Sequence, residues 1–237
     1  MIDIVYFIWV NINRPYKTII EGQLEDIILS NILLDGFLHI VISLDKNIQI
    51  NVENIINNSL HNYKNKYTID FFYDNHYEYY GIKKLYDLAL INPNKYFFYM
   101  HSKGMYSSYN CIERTHHEII LTKGHLNKYT TVIDIFNNNK EVVSAGLFPG
   151  DIFYGNKNYI WFNFFYVKGS YLNTCESPKI SDDNRFYYEY WLGNSSLKNN
   201  ENIKIYNLLN NNYDKFTSQQ ASTIIGSGNH INKLLNL

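Results

Sequence analysis

The sequence has little cysteine, little net charge and no long basic run, and each shortage excludes a class of protein. Its 237 residues include only two cysteines, Cys111 and Cys175, which are far apart in the chain. Two unpatterned cysteines do not make the disulfide framework of a small secreted domain, and they fit a reducing compartment. The net charge is −1, so a nucleic-acid partner is disfavoured.

No targeting or membrane-spanning segment is visible. The chain begins Met1-Ile-Asp-Ile, an acidic start that differs from the basic n-region of a signal peptide. No apolar run approaches the roughly 18 residues that a membrane helix needs. We therefore expect a soluble cytoplasmic protein without a membrane span, located in the host cytoplasm if the chain is viral.

Several catalytic motifs are missing as well. There is no Walker loop, no G-x-G-x-x-G, no G-x-S-x-G and no paired C-x-x-C, so P-loop, dehydrogenase and hydrolase functions are disfavoured. No Asp-x-Asp follows the fourth predicted strand, where a hard cation would need oxygen ligands. The abundant residues are aromatic instead, with 23 tyrosines. A cleft rich in Tyr and Trp would suit sugar rings, but codon bias in an AT-rich genome also explains the excess.

Apolar runs and helical periodicities alternate along the first half of the chain. This alternation predicts an α/β fold with a Rossmann-type, mainly parallel central sheet flanked by helices. We expect one domain, with a nucleotide-binding half at residues 1–104 and a more irregular acceptor-binding half at residues 105–237. The predicted strands cover residues 2–10, 37–44, 67–73, 96–100, 141–147 and 203–206. The predicted helices cover residues 18–34, 80–90, 112–121 and 126–136.

The most informative segment is Lys95–Gly104, in which an unbroken apolar run ends in His-Ser-Lys-Gly. Ligands of open α/β sheets bind beyond the carboxyl ends of strands, which is where His101, Ser102, Lys103 and Gly104 are expected. Lys103 supplies a point charge and Gly104 a close backbone approach, so together these residues suit a diphosphate.

Two other strand ends carry compatible side chains. Trp9 lies at the end of the first strand and Asn11 follows it, and residues 70–74 surround the end of the third, with Asp74 at its edge. An aromatic ring and a carboxylate there could hold a base and a ribose. The alternative is that Trp9 belongs to the core and that Asp74 begins a turn.

Three further groups could carry chemistry. Glu189 lies among aromatic residues, where desolvation would favour a general base, although a buried salt bridge to Arg185 is an equal alternative. Asp182 and Asp183 could share that role or could begin a helix. Arg114 could clamp an anion with two hydrogen bonds.

These residues, taken in order, resemble small GT-A glycosyltransferases of large DNA viruses and bacterial polysaccharide clusters, including the N-terminal glycosyltransferase domain of a chlorella virus protein. The segments that carry the resemblance are Val5–Trp9, Glu21-x-Gln23-Leu24, Tyr99–Gly104, Arg114, Gly146–Phe148, Trp161–Tyr166 and Arg185-x-x-x-Glu189-x-Trp191-x-Gly193.

The resemblance implies transfer of a hexose or deoxyhexose from a UDP- or GDP-sugar to a hydroxyl of a glycan or other acceptor. Trp9, Tyr73 and Asp74 would border the nucleoside, while His101 to Gly104 and Arg114 would face the diphosphate or donor sugar. The implied acceptor side is lined by Trp161, Asn163, Phe164 and Trp191. Glu189, with Asp183 nearby, would be the base of an inverting reaction.

The sequence leaves two alternatives for metal use and two for the function. His101-Ser102 replaces the carboxylate pair that many relatives use to hold a metal, so either Lys103 or a loosely held Mn²⁺ or Mg²⁺ would balance the diphosphate. The alternative function is a catalytically silent carbohydrate-binding or scaffold protein with the same fold.

Overall fold

The protein is described here by a computed structural model, which covers residues 1–103, 113–151, 157–184, 186–197, 199–200 and 202–227. The strands are β1 (Ile2–Trp9), β2 (Leu38–Ser43), β3 (Tyr67–Phe72), β4 (Tyr96–His101), β5 (Val142–Gly146), β6 (Phe165–Lys168) and β7 (Lys204–Asn207). The helices are α1 (Tyr16–Leu29), α2 (Gln49–Ser59), α3 (Tyr79–Ile91), α4 (His116–Leu126), α5 (Tyr129–Asn138), α6 (Gly169–Leu172), α7 (Tyr187–Tyr190) and α8 (Ser218–Gly226). Within these ranges, every helix is too short or too polar to cross a membrane.

One seven-stranded sheet runs through the molecule in the order β3-β2-β1-β4-β6-β5-β7. Strands β1 to β4 are mutually parallel, β6 is antiparallel to both β4 and β5, and β7 is parallel to β5. The expected mainly parallel α/β sheet is thus confirmed. Since β4 pairs with β6, residues from both predicted halves of the chain share this sheet.

The sheet has a hydrophobic core on each face, which explains why its central strands are mainly apolar. In β1, Ile4, Tyr6 and Ile8 pack on the face covered by α1, α2, α4, α5 and α8. Val5 and Phe7 pack on the opposite face, against α3, α6 and α7. Strands covered on both sides favour apolar residues on both faces, and most positions of β1 and β4 are apolar.

The strand order changes direction at β1, so that β2 and β3 lie on one side of it and β4 lies on the other. The chain builds outward from β1 through β2 to β3, then returns to add β4 on the other side of β1. The carboxyl ends of β1 and β4 are therefore adjacent, with Phe7 paired to His101. Such a switch point leaves a crevice between the loops that follow the two strands.

Two predicted helices differ from the structure for local reasons. The helix expected over residues 18–34 ends at Leu29, because Asn31 adopts a left-handed conformation (φ 64°) before a short 3-10 turn at Ile32–Leu34. The helix expected over residues 112–121 begins instead at His116, after the capping side chain of Thr115, and extends to Leu126. Asp182 and Asp183, which could begin a helix, lie before the four-residue α7. Arg185, the predicted ion-pair partner of Glu189, lies outside the described residues.

Candidate functional site

A cavity of about 420 Å³ opens at the carboxyl ends of β1, β2 and β3. Its lining consists of Trp9, Val10, Ser43, Leu44, Asp45, Lys46, Tyr73, Asp74 and Asn75. Parallel pairing places these three strand ends side by side, so residues far apart in the chain meet at one edge. Three residues predicted to bind the donor nucleoside, Trp9, Tyr73 and Asp74, share this cavity.

The polar groups of the cavity wall are held in place by neighbouring side chains. The Tyr73 hydroxyl donates a hydrogen bond to Gln49 Oε1 at 2.8 Å, and Lys46 Nζ lies 5.6 Å from the centre of the Tyr73 ring. Tyr80 donates to Asp74 Oδ1 at 2.5 Å, and this bond is the main reason that the pKa of Asp74 is lowered. Asp74 therefore presents a fixed, charged carboxylate to the cavity.

His76 joins the cavity rim to the loop that precedes α7. Its Nε2 lies 3.2 Å from Asp74 Oδ2, and its Nδ1 lies 2.8 Å from Asp182 Oδ1. The hydrogen bond to Asp182 raises the pKa of His76, and the charge of Asp74 adds to the effect. The neighbouring Asp183 is exposed on the same loop, so its catalytic role stays a prediction.

The residues at the end of β4 have different roles: Ser102 is structural, and His101 and Lys103 belong to the crevice. Ser102 is 6% exposed, and its Oγ accepts a hydrogen bond from the Trp9 backbone N–H at 3.1 Å. Its hydroxyl thus connects the ends of β1 and β4 instead of facing a diphosphate, which corrects the expectation from sequence. His101 and Lys103 are half-buried at the switch point, and Gly104 lies outside the described residues.

Glu78, which the sequence analysis missed, provides a carboxylate beside His101 and Lys103. It immediately precedes α3, the position of an ordinary helix-capping residue, yet its side chain makes no capping hydrogen bond. Glu78 Oε2 instead accepts hydrogen bonds from Asn163 Nδ2 at 2.8 Å and from the Tyr99 hydroxyl at 3.1 Å. Burial raises the pKa of Glu78, while the charge of Lys103 and these hydrogen bonds oppose the increase.

His101 is a neutral imidazole in this environment. Burial, with a contribution from the charge of Lys103, lowers the pKa of His101 to about 3. Its Nε2 lies 3.0 Å from the carbonyl oxygen of Phe162. A carbonyl only accepts, so Nε2 carries the proton and Nδ1 is left as an acceptor.

The turn that covers this end of the crevice has a strained backbone. Phe162 and Asn163 both have positive φ angles, 69° and 55°. That conformation is unfavourable for bulky residues and persists only where surrounding contacts enforce it. Here the His101 ring is hydrogen-bonded to the Phe162 carbonyl. The Asn163 side-chain amide donates to Glu78 and to the Tyr188 carbonyl. The Phe162 ring is held half-buried beside Lys103, whose Nζ is 5.4 Å from its centre.

Arg114 does not face the crevice as predicted. Its Nη2 lies 2.5 Å from Asp26 Oδ2, and its Nε lies 2.6 Å from Glu118 Oε2. Both carboxylates are almost fully buried between α1 and α4, so the guanidinium is needed there to balance them. Burial lowers the pKa of Arg114, but the hydrogen bonds to Glu118 and Asp26 outweigh it, and the net shift is upward.

A buried hydrogen-bond chain links this ion pair to the end of β4. Gln23 Nε2 donates to the His101 carbonyl at 3.2 Å and to Thr122 Oγ1 at 3.0 Å, and Thr122 in turn donates to Glu118. Gln23 Oε1 accepts from the Tyr6 hydroxyl at 2.5 Å. The Glu-x-Gln-Leu segment therefore supports the backbone of His101 from below.

Three residues predicted to line the acceptor side belong mainly to the core. Trp191 is fully buried and donates from Nε1 to the Glu176 carbonyl, and Phe164 is fully buried beneath His101. Trp161 is 6% exposed and donates to the Phe216 carbonyl. Apolar packing and satisfied indole N–H groups explain their burial, so they cannot form a solvent-facing wall. Asn163 is also buried, but its amide contacts Glu78 and so orients a residue of the crevice.

Glu189, the predicted base, is half-buried on α7. Burial raises the pKa of Tyr159, and the charges of Asp151 and Glu189 contribute to the same shift, so Glu189 lies near Tyr159. The Asn163 amide bonded to the Tyr188 carbonyl connects α7 to the strained turn. Glu189 therefore directly follows Tyr188, whose carbonyl holds the Asn163 side chain. Its role as a base stays a prediction.

The assembled site offers an aromatic and acidic cavity next to a lysine, a neutral histidine and a buried carboxylate. Across the described ranges, no group of three or more His, Cys, Asp or Glu side chains is arranged to hold a metal ion. No protein-family model matches this chain, and no curated protein sequence matches it significantly.

Proposed function

We propose that the protein is a glycosyltransferase with a GT-A-like fold, which transfers a hexose or deoxyhexose from a UDP- or GDP-sugar to a hydroxyl of a glycan or other acceptor. One observation carries the proposal. The cavity lined by Trp9, Tyr73 and Asp74 adjoins the switch point where Lys103 follows β4. A nucleoside in the cavity would direct its diphosphate toward that cation.

Under this proposal, each residue of the site has a separate role in the reaction. Trp9 and Tyr73 provide aromatic surface for the base, and Asp74 accepts hydrogen bonds from the ribose hydroxyls. Lys103 balances the negative charge that develops on the departing diphosphate. Glu189 takes the proton of the acceptor hydroxyl, and an in-line displacement then inverts the anomeric centre.

Calorimetry with uridine, UDP and GDP tests the nucleotide part of the proposal. Lys103→Met should weaken UDP binding roughly 10- to 100-fold, the range for a hydrogen bond to a charged group, and should leave uridine binding unchanged. Lys64→Met, at an exposed lysine between α2 and β3, is the matched control. Equal loss for uridine and UDP would show that Lys103 does not contact phosphate.

Turnover of UDP- and GDP-sugars, with and without Mn²⁺ or Mg²⁺, tests the reaction and its cation requirement. Glu189→Gln should lower turnover by roughly 10²- to 10⁴-fold while donor binding persists. Full turnover in that variant would exclude Glu189 as the base. If the wild-type protein bound no nucleotide under any of these conditions, a carbohydrate-binding or scaffold role would replace the enzyme.

A further inference from the structure

Glu78 and His101 place two hydrogen-bond acceptors next to each other at the mouth of the crevice. The His101 proton is on Nε2, which faces the Phe162 carbonyl, so Nδ1 has a free lone pair. Glu78 Oε1 lies 3.9 Å from that Nδ1, a separation too long for a hydrogen bond. The two side chains are 19% and 13% exposed, so both acceptors are shielded but open to a ligand.

Neighbouring residues hold this acceptor pair in position. The second carboxylate oxygen of Glu78 already accepts from Asn163 and Tyr99, which fixes the direction of Oε1. The His101 ring is fixed by its bond to Phe162 and by contact with Phe164, whose ring centre is 5.1 Å away. Two acceptors held at this distance repel each other unless donors are placed between them, so the arrangement is suited to a ligand with two donor groups.

Resting on the proposed glycosyltransferase function, we propose that Glu78 Oε1 and His101 Nδ1 bind two neighbouring hydroxyl groups of the donor sugar, and that Glu78 is thereby a residue that determines donor specificity. Each hydroxyl has one proton and two lone pairs, so a vicinal diol can donate to both acceptors. The lone pairs of the same hydroxyls can accept from Lys103. The half-buried Phe162 ring offers an apolar surface for the C–H face of the sugar.

Other occupants fit this pair less well. A single hydroxyl has only one proton and would leave the second acceptor unsatisfied. A divalent cation would be placed beside the ammonium of Lys103, whose charge acts on both Glu78 and His101. A cation at this position would make the effect of Glu78→Gln depend on added Mn²⁺.

The experiment compares the wild-type protein with Glu78→Gln by calorimetry in EDTA. The probes are UDP and GDP, their glucose, galactose and mannose forms, and single-deoxy analogues of the tightest-binding sugar. The glutamine side chain of this variant can keep the bonds from Asn163 and Tyr99 with its oxygen and turn its NH₂ group toward His101 Nδ1. We therefore expect a folded variant in which a donor replaces one acceptor.

Glu78→Gln should weaken binding of the tightest sugar nucleotide roughly 10- to 100-fold, as for a lost hydrogen bond to a charged group, and should change UDP or GDP binding by less than about twofold. Removing the matching sugar hydroxyl should weaken wild-type binding but cost little further in the variant, because the two changes remove the same contact. Glu25→Gln, at an exposed position of α1, is the control and should behave as wild type.

The outcomes separate this inference from the function on which it rests. Two results overturn the role of Glu78 while the glycosyltransferase proposal stands. In one, Glu78→Gln leaves the binding of sugar nucleotides unchanged. In the other, it weakens the binding of UDP and of the UDP-sugar equally. In a second arm, Mn²⁺ replaces EDTA; an effect of Glu78→Gln that appears only in this arm identifies a cation between the two acceptors and also overturns the diol. If wild-type protein binds no nucleotide at all, both proposals fall together.

Discussion

Replacing Arg114 by methionine should destabilise the protein without weakening the proposed nucleotide binding in the folded fraction. The guanidinium makes three short contacts, at 2.6 and 2.7 Å with the Glu118 carboxylate and at 2.5 Å with Asp26. Glu118 is fully buried and Asp26 is 5% exposed. Removing the shared cation leaves uncompensated charge in the core, which costs about 3–5 kcal/mol of unfolding free energy.

The two carboxylates should respond differently to this change. Asp26 keeps a second cation, because Lys123 Nζ lies 3.6 Å from its Oδ1. Glu118 keeps only the Thr122 hydroxyl, at 2.8 Å, among the described side chains. The double variant Arg114→Met, Glu118→Gln should therefore recover about 1–3 kcal/mol relative to Arg114→Met, since the amide removes the buried charge.

The pH dependence gives a second test of the same reasoning. Burial raises the pKa of Glu118, and Arg114 opposes that shift, so the folded pKa should increase further in the methionine variant. A carboxyl whose folded pKa exceeds its unfolded value is stabilising when protonated and loses that advantage as pH rises. Urea unfolding should accordingly show a smaller deficit for the variant at about pH 5 than at about pH 8.

The refuting result is specific. If Arg114→Met unfolds within about 1 kcal/mol of wild type, the buried charges are not balanced by this residue. If the same variant also loses UDP affinity at full folding, Arg114 binds an anion, as the sequence alone suggests. Arg114→Lys keeps the charge but not the fork of donors, so it should fall between the methionine variant and wild type.

Three further predictions use other parts of the molecule. If the base stacks on the Trp9 indole, Trp9→Ala should weaken UDP binding by roughly 10- to 100-fold, as measured by calorimetry. Tyr213→Ala, at the opposite edge of the sheet, should leave UDP binding unchanged. Gly22→Ala places a Cβ against the Arg114 side chain, closer than ordinary van der Waals contact, so thermal unfolding should show a loss of about 1–3 kcal/mol. Burial lowers the pKa of His101 to about 3 and that of His125 to about 4, below the unfolded value of about 6.5. The unfolded chain therefore binds more protons in acid, and the urea midpoint should fall steadily from about pH 7 to about pH 4; a flat profile would contradict the neutral, buried histidines.

The strands of the first half could be predicted from the sequence because their signal is local. β1 to β4 are mainly apolar segments, and the observed strands lie within about one residue of the predicted bounds. The same runs also located the crevice, since Trp9 ends β1 and Asp74 and Lys103 come soon after β3 and β4, whose ends parallel pairing brings together. These conclusions need only side-chain periodicity and the known geometry of parallel sheets.

The roles of individual polar residues could not be predicted in this way, because each depends on partners distant in the chain. Arg114 has the residue type of an anion clamp, but Asp26, 88 positions away, occupies its guanidinium. Trp191 has the residue type of a sugar platform, but a second layer of helices buries it completely.

Glu78 illustrates the division most clearly. In the sequence it is one acidic residue before a helix, which is typical of an ordinary helix start. In the structure it meets Asn163, 85 positions away, and faces His101 across 3.9 Å. The sequence by itself determined the α/β sheet and the edge of that sheet at which the cavity opens. Only the tertiary structure decided which polar groups face that edge, because burial, hydrogen bonding and charge at each group are set by non-local packing.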